Sequence, residues 1–468
     1  MISKTISALI FIAASTNAAA YYTGQGKLFS EDDEAVNING VSWSGFQDTN
    51  VFQGLQSNPF YAMTATSANK RDYGMMDVLI GAESVPGDFP LFKTVRIPIQ
   101  PGVLYDTAGK VDLNASFADK SNPTEGNGLF CKTWATTWDG CQTSVSPKDA
   151  FWTVLSEMQK KNMRVLVDMH HRYGYGDGMR DGTVYDMTQY GKDIALLAEQ
   201  IKTNELDNVV GIDVFNEPHQ LSWFQNSNGQ VPWTKVIATA ANAIFDADPE
   251  LVLFVEGADQ GSNDPDTPAI CVNSADITDD PNAYSHGADA QACGTLDRVY
   301  FKGNWGEDFK PLLEAASAKQ GVAKFDRAQF ERELTKQGID ADTLDWLLGD
   351  EFGNHGHLVF SPHVYPAEVA GWESAPGAPS NLRFDWTWGF LAKANYPVIL
   401  GEASWKTDSG KAFVTDALMP YLKTNMQTSN LFFWGIGFLG DTVTAIDPQN
   451  GNMNSDVWNT MKPYFVGE

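Results

Sequence analysis

Two glutamates stand where a chain rarely tolerates a charge. Glu217 follows the run Gly211-Ile-Asp-Val-Phe-Asn216, and Glu402 follows Tyr396-Pro-Val-Ile-Leu-Gly401. Each run reads as a short buried strand closing on a carboxylate. A charge there is costly unless it is paired or hydrogen-bonded, so each is a candidate for chemistry. Two carboxyl groups with different protonation states can divide acid, base and nucleophile roles between them. These two are far apart in sequence. They can act on one bond only if the fold brings both strand ends to one rim, as a parallel barrel does.

The rest of the chain fits that requirement. Eight short apolar runs recur at 36–46, 92–99, 164–171, 211–218, 251–257, 358–365, 396–403 and 431–438. They are rich in Val, Ile and Phe, as strands buried on both faces are. Amphipathic segments lie between them at 147–162, 188–202, 232–247, 411–424 and 456–464, with Pro147 suited to a first helical turn. Repeated strand–helix alternation predicts an α/β protein, a (β/α)₈ TIM barrel. A doubly wound open sheet is the structural alternative, but no Gly-rich phosphate loop follows the first strand. Residues 258–357 are too long for a plain loop and read as an insertion between strands five and six. A smaller insertion at 104–147 follows strand two. With these two insertions, 21–468 is expected to form a single domain.

Composition narrows the function classes. The chain has 468 residues, 43% apolar and 19% charged, which is ordinary for a globular protein. Aromatics reach 12% with 14 Trp, enough for a surface that stacks flat ligands. The net charge of −27 argues against nucleic acid or an anionic membrane as partner. Met1-Ile-Ser-Lys4, an apolar stretch over 6–14 and Asn17-Ala-Ala-Ala20 describe a secretory signal cut after Ala20. No later segment is apolar enough for a membrane anchor, so a secreted, extracellular monomer is expected. Cys131/Cys141 and Cys271/Cys293 form two sequence-close pairs. Export favours disulfides; of three possible pairings the local one is preferred.

Barrel enzymes carry their chemistry at the C-terminal ends of strands. Those ends read Val95-Arg-Ile-Pro98, Val167-Asp-Met-His170, Phe215-Asn-Glu-Pro-His219, Leu253-Phe-Val-Glu-Gly257, Ser361-Pro-His-Val-Tyr365 and Leu400-Gly-Glu402. Gly40-Val-Ser-Trp-Ser-Gly-Phe46 precedes them and Gly440-Asp-Thr442 follows. With these motifs in order, the chain from about residue 36 to 460 resembles glycoside hydrolase family 5. It is most similar to the endo-β-1,4-glucanase (cellulase) branch of these retaining (β/α)₈ glycosidases.

The resemblance implies a role for each matching residue. Glu217 would be the acid/base and Glu402 the nucleophile, flanked by Arg96 and Tyr365. Asn216 would bond the sugar 2-hydroxyl, His363 would contact Glu217 or the sugar, and His170 matches the family's histidine beside the extra His171. Trp434 would floor the sugar site, with Trp43 a further platform and Trp223, Trp372 and Trp405 weaker candidates. The chemistry needs no metal and no cofactor; the Asp-rich loops at 177–181 and 276–280 could take Ca²⁺ but read more simply as solvated loops.

The sequence also departs from the family pattern. Ser42 stands where Asn is usual, Ala403-Ser-Trp405 replaces the common Phe-Gly, and 435–440 is lengthened. These positions line substrate subsites, so the resemblance carries the reaction further than the sugar. A β-glucan polysaccharide is the expected substrate. β-Mannanase, β-1,3 or mixed-linkage glucanase and endoglycoceramidase are the enzymatic alternatives. A carbohydrate-binding, wall-associated protein is the non-enzymatic one.

Overall fold

A computed structural model describes residues 21–43, 46–47, 92–105, 111–112, 144–171, 186–219, 221–226, 230–258, 266–273, 276, 284–286, 293–301, 305–370, 380–426, 430–436, 442–445 and 454–465. The expected signal segment, Cys131, Cys141, Trp372, most of the 104–147 segment and the 177–181 loop lie outside these residues.

Eight parallel strands form one ring. They are β1 (Asn39–Ser42), β2 (Thr94–Ile99), β3 (Arg164–Met169), β4 (Val209–Asp213), β5 (Val252–Val255), β6 (Leu358–Phe360), β7 (Leu400–Ala403) and β8 (Leu431–Phe433). Neighbours in sequence are neighbours in the sheet from β1 to β6, and β8 pairs with both β1 and β7. The last seam, between β6 and β7, is joined by the parallel bridges Phe360–Val398 and His363–Glu402. Hydrogen bonds from Ile399 N to Phe360 O and from Val364 N to Glu402 O, at 3.0 and 2.9 Å, hold it. The TIM barrel read from the sequence is the fold, and each of the eight apolar runs supplies one strand.

Alternation along the strands separates two apolar layers. Leu253 and Val255 of β5 join the layer that packs on the helices, with Phe151, Ile194 and Ile237. Val252 and Phe254 point the other way, into a second cluster with Ile38, Leu166, Val210, Val359, Ile399 and Phe432. That cluster fills the barrel interior. Tyr21 and Leu28, from the hairpin of Tyr21–Gly24 and Lys27–Ser30, join it. One step of two residues further along the same faces, the inward residues turn polar: Leu166 is followed by Asp168 and Phe254 by Glu256. The apolar floor therefore ends where a charged layer begins, near the C-terminal ends of the strands.

Helices α1 (Pro147–Lys160), α2 (Met187–Thr203) and α3 (Trp233–Ala247) follow β2, β3 and β4. Pro147 does open α1, and Ser146 Oγ caps it by accepting from Asp149 N at 3.0 Å. Between β5 and β6 the described residues include an antiparallel sheet of Ile270–Val272, Tyr284–His286 and Asp297–Phe301, the last in the middle. A disulfide joins Cys271 to Cys293 there, the local pairing. Helices α4 (Arg327–Lys336) and α5 (Ala341–Leu348) complete that segment.

Candidate active site

Arg96 is the hub of the charged layer. It sits inside β2, fully buried, so its guanidinium must find every partner within the barrel. Nη1 donates to Glu402 Oε1 at 2.5 Å. Nη2 lies 2.9 Å from Asn216 Oδ1, 3.0 Å from Asp168 Oδ2, 3.1 Å from Asp213 Oδ2 and 3.3 Å from Glu256 Oε1. Nε donates to Asp213 as well, at 3.2 Å. One planar fork thus ties β2 to groups on β3, β4 and β7 and just past β5, which is the geometry arginine supplies and lysine does not.

Glu402 is held on both oxygens. Arg96 takes Oε1, and the Tyr365 hydroxyl donates to Oε2 at 2.7 Å. Burial by itself would raise its pKa, but the charges of His363, Arg96 and His170 and the Tyr365 hydrogen bond outweigh it, and the group ends below the usual range. Its side chain is only 5% exposed.

Glu217 stands differently. It lies in the loop past β4 rather than at the strand end expected from its apolar run, because β4 closes at Asp213. Its backbone adopts φ +42°, a left-handed conformation that costs a non-glycine residue about 1–3 kcal/mol. Its amide donates to Glu256 Oε2 at 2.8 Å, and its Oε1 lies 3.1 Å from His363 Nδ1. The side chain is 24% exposed. Desolvation pushes its pKa up and the charge of Glu402 adds to the rise; the His363 hydrogen bond offsets only part.

His363 bridges the pair. Nδ1 is 3.5 Å from Glu402 Oε2, and Nε2 is 2.9 Å from Glu256 Oε1. Burial would lower its pKa, but Glu256, Glu402 and the hydrogen bonds to Glu217 and Glu256 lift it well above the ordinary value. Facing oxygens of Glu217 and Glu402 and a His363 nitrogen all lie within 4.8 Å of one another, as do donor atoms of Asp213, Glu256 and His363. Both trios have metal-ligand chemistry in type, but a ligating imidazole must be neutral, and the carboxylates around His363 favour its protonated form. Burial pushes Asp168 and Asp213 up to about 7, against the pull of Arg96.

The other sequence candidates divide. His170 Nδ1 lies 2.6 Å from Asp168 Oδ2, and its ring is parallel to that of Trp434, at 5.8 Å and 3°. His171 is buried edge-on to His170. Trp434 is half-buried. Trp43 is a correction: it is fully buried in the core shared with the helices and offers no ring face to a sugar. Trp223 and Trp405 are buried there too. The face found instead is Trp305, 39% exposed and stacked on His219 at 4.0 Å. His219 in turn lies 2.6 Å from the Glu217 carbonyl through Nδ1.

Three members of the charged layer received no role from sequence: Asp168, Asp213 and Glu256. The signal was present. Each is an acid within or just after a buried apolar strand, the same anomaly that singled out Glu217 and Glu402.

A parallel barrel with two close carboxyl groups at its C-terminal rim is an arrangement built for cleaving glycosidic bonds. The family model for Cellulase (glycosyl hydrolase family 5) matches residues 92–438, and the chain belongs to that family, as a glycoside hydrolase of the endoglucanase type. Among its relatives, an endoglucanase of Paenibacillus polymyxa is 23% identical, over 97% of this chain and 88% of that protein. The major extracellular endoglucanase of Xanthomonas campestris pv. campestris is 22% identical, over 98% and 75%. The catalytic domain of that enzyme shares the fold, with a TM-score of 0.60 at 19% identity over 96% of this chain and all (100%) of that one. A cellotetraose complex of an endocellulase from Pyrococcus horikoshii has a TM-score of 0.59 at 16% identity, over 96% and 99%.

Proposed function

We propose that this chain is a secreted, retaining endo-β-1,4-glucanase in which Glu217 is the acid/base and Glu402 the nucleophile. The observation that carries the reading is geometric: oxygens of Glu217 and Glu402 lie within 4.8 Å, with Glu402 held by Arg96 and Tyr365 and the Glu217 carboxyl met, among the described residues, only by His363, an asymmetry that shifts their pKa values in opposite directions. The raised Glu217 holds a proton to give to the leaving glycosidic oxygen. The lowered Glu402 stays ionised and attacks the anomeric carbon, forming a glycosyl-enzyme ester as the leaving chain departs. Water then enters, Glu217 takes its proton, and the ester opens with a second inversion, so configuration is retained. Retaining enzymes hold their carboxyls about 5–5.5 Å apart and inverting ones about 6.5–9.5 Å apart; the close approach here supports the first class.

Arg96 and Tyr365 orient the nucleophile and keep it charged. Asn216, fixed by Arg96 Nη2, is placed for the sugar 2-hydroxyl. The Trp434 ring supplies an apolar face for the pyranose C–H groups, and Trp305 a second on the Glu217 side. The relatives' names, and the cellotetraose bound by the Pyrococcus horikoshii endocellulase, favour a β-1,4-glucan polysaccharide as substrate. Export through the segment 1–20 agrees with the extracellular relative, and no helix among the described residues is long and apolar enough to cross a membrane. The test is hydrolysis of a panel: soluble cellulose derivative, β-mannan, β-1,3 and mixed-linkage glucans and a glycolipid, with early products followed by NMR. Preferred cleavage of β-1,4-glucan with a retained β-anomer is expected. Preference for another polymer would reassign the substrate, and an inverted product would remove the double displacement.

A further inference from the structure

We propose that Glu256 is a positioning residue for acid catalysis, clamping both the Glu217 backbone and the His363 ring so that the Glu217 carboxyl faces the leaving oxygen. The inference rests on Glu217 being the acid/base. Glu256 follows β5 directly and is fully buried, so it lies beneath the site and acts through its neighbours. Oε2 accepts the Glu217 amide at 2.8 Å. Oε1 is 2.9 Å from His363 Nε2 and 3.3 Å from Arg96 Nη2. The first contact holds Glu217 in its left-handed conformation, which an L-residue keeps only when its surroundings over-determine it. The second sets Nε2 2.9 Å from a carboxylate oxygen, a charge contact rather than an aligned hydrogen bond, while Nδ1 meets Glu217 Oε1. Turning the ring over would lose both contacts.

The backbone is packed tightly around this pair. A Cβ on Gly306, at φ +75°, would fall 2.5 Å from Glu256 Oε2 and 3.0 Å from His363 Cβ. A Cβ on Gly401 would fall 2.8 Å from His363 Nε2. Two glycines, one from the segment between β5 and β6 and one from β7, therefore close over the clamp from different sides. Arg96 has three other carboxylate partners, so charge balance at Arg96 does not by itself account for a Glu at this position.

The experiment compares kcat/KM for two aryl β-cellobiosides. Phenoxide is a poor leaving group that needs protonation; 2,4-dinitrophenoxide leaves without it. Glu256→Gln keeps the shape but offers one acceptor oxygen to the Glu217 amide, the His363 ring and Arg96 together. It should lose about a hundredfold on the phenyl substrate and less than about tenfold on the dinitrophenyl one. Glu217→Gln should show the same split more steeply. Equal losses on both substrates for Glu256→Gln, or none on either, beside a clear split for Glu217→Gln, would overturn the proposal and leave Glu256 a counter-ion. No split for Glu217→Gln would instead overturn the acid/base reading. If Glu256→Gln does not fold, Glu256→Asp keeps the charge but cannot span both partners. It should give the split, and equal losses from it count against the clamp.

Discussion

Glu217 and Glu402 are the same side chain, close enough to share His363, yet the barrel treats them oppositely. Glu402 rides on the end of β7 with ordinary backbone, a donor on each oxygen and 5% of its side chain exposed. Glu217 rides on a loop in a left-handed conformation, 24% exposed, with one imidazole contact to its carboxyl. Both are desolvated, and desolvation pushes both pKa values up. The number and charge of the donors decides which one stays up. The division of labour proposed for these identical carboxyls therefore rests on the residues around them.

The contrast can be broken at its poles or tested along its supports. Glu402→Gln removes the attacking atom, and kcat on a soluble cellulose derivative should fall by roughly four or more orders of magnitude, with an unchanged circular dichroism spectrum. Full activity would end the nucleophile assignment. Glu217→Gln removes only the proton, and the loss on an unactivated polysaccharide should be smaller, about 10²–10⁴-fold. A Glu217 variant worse than the Glu402 variant would reverse the roles. Arg96→Met leaves buried carboxyls without their shared cation and should cost about 3–5 kcal/mol of stability by urea unfolding. An unshifted midpoint would mean that protonation of Asp168 and Asp213 already balances the layer.

The mildest change is Tyr365→Phe, which takes one donor from Glu402 at about 1.5–3 kcal/mol of lost hydrogen bonding to a charge. The sign follows from the proposed role, in which Glu402 works in its ionised form. Activity is present above its pKa and fades as pH falls through it. Losing a group that lowers that pKa raises it, so the acid limb of kcat/KM should move to higher pH. An acid limb at its original position would show that Arg96 and His363 set the value without the phenol.

Much of this was legible in the chain. Each apolar run became a barrel strand because a strand buried on both faces has few alternatives, and strand ends then marked the rim. Arg96, Asn216, His170, His363, Tyr365 and Glu402 gather there with Glu217. The aromatics were less legible. Trp43 and Trp305 are the same residue type, and local pattern does not say that one turns into the helix-facing core while the other stacks on His219 in the open. The buried acids Asp168, Asp213 and Glu256 were visible as anomalies, but their partners come from β2 and from the ends of β3, β4 and β6. No spacing rule predicts such a junction.

The sequence by itself determined the barrel and the two carboxylates, because apolar periodicity and costly strand-end charges are local properties, and its ordered motifs carried the family resemblance. Tertiary structure alone decided the surroundings that shift the two carboxyl pKa values in opposite directions. Those surroundings depend on donors brought from β2 and from just past β6 to within hydrogen-bond reach, and on the left-handed turn at Glu217 braced by Glu256. Electrostatic tuning of this kind falls off over a few ångströms, a scale that only the folded chain defines.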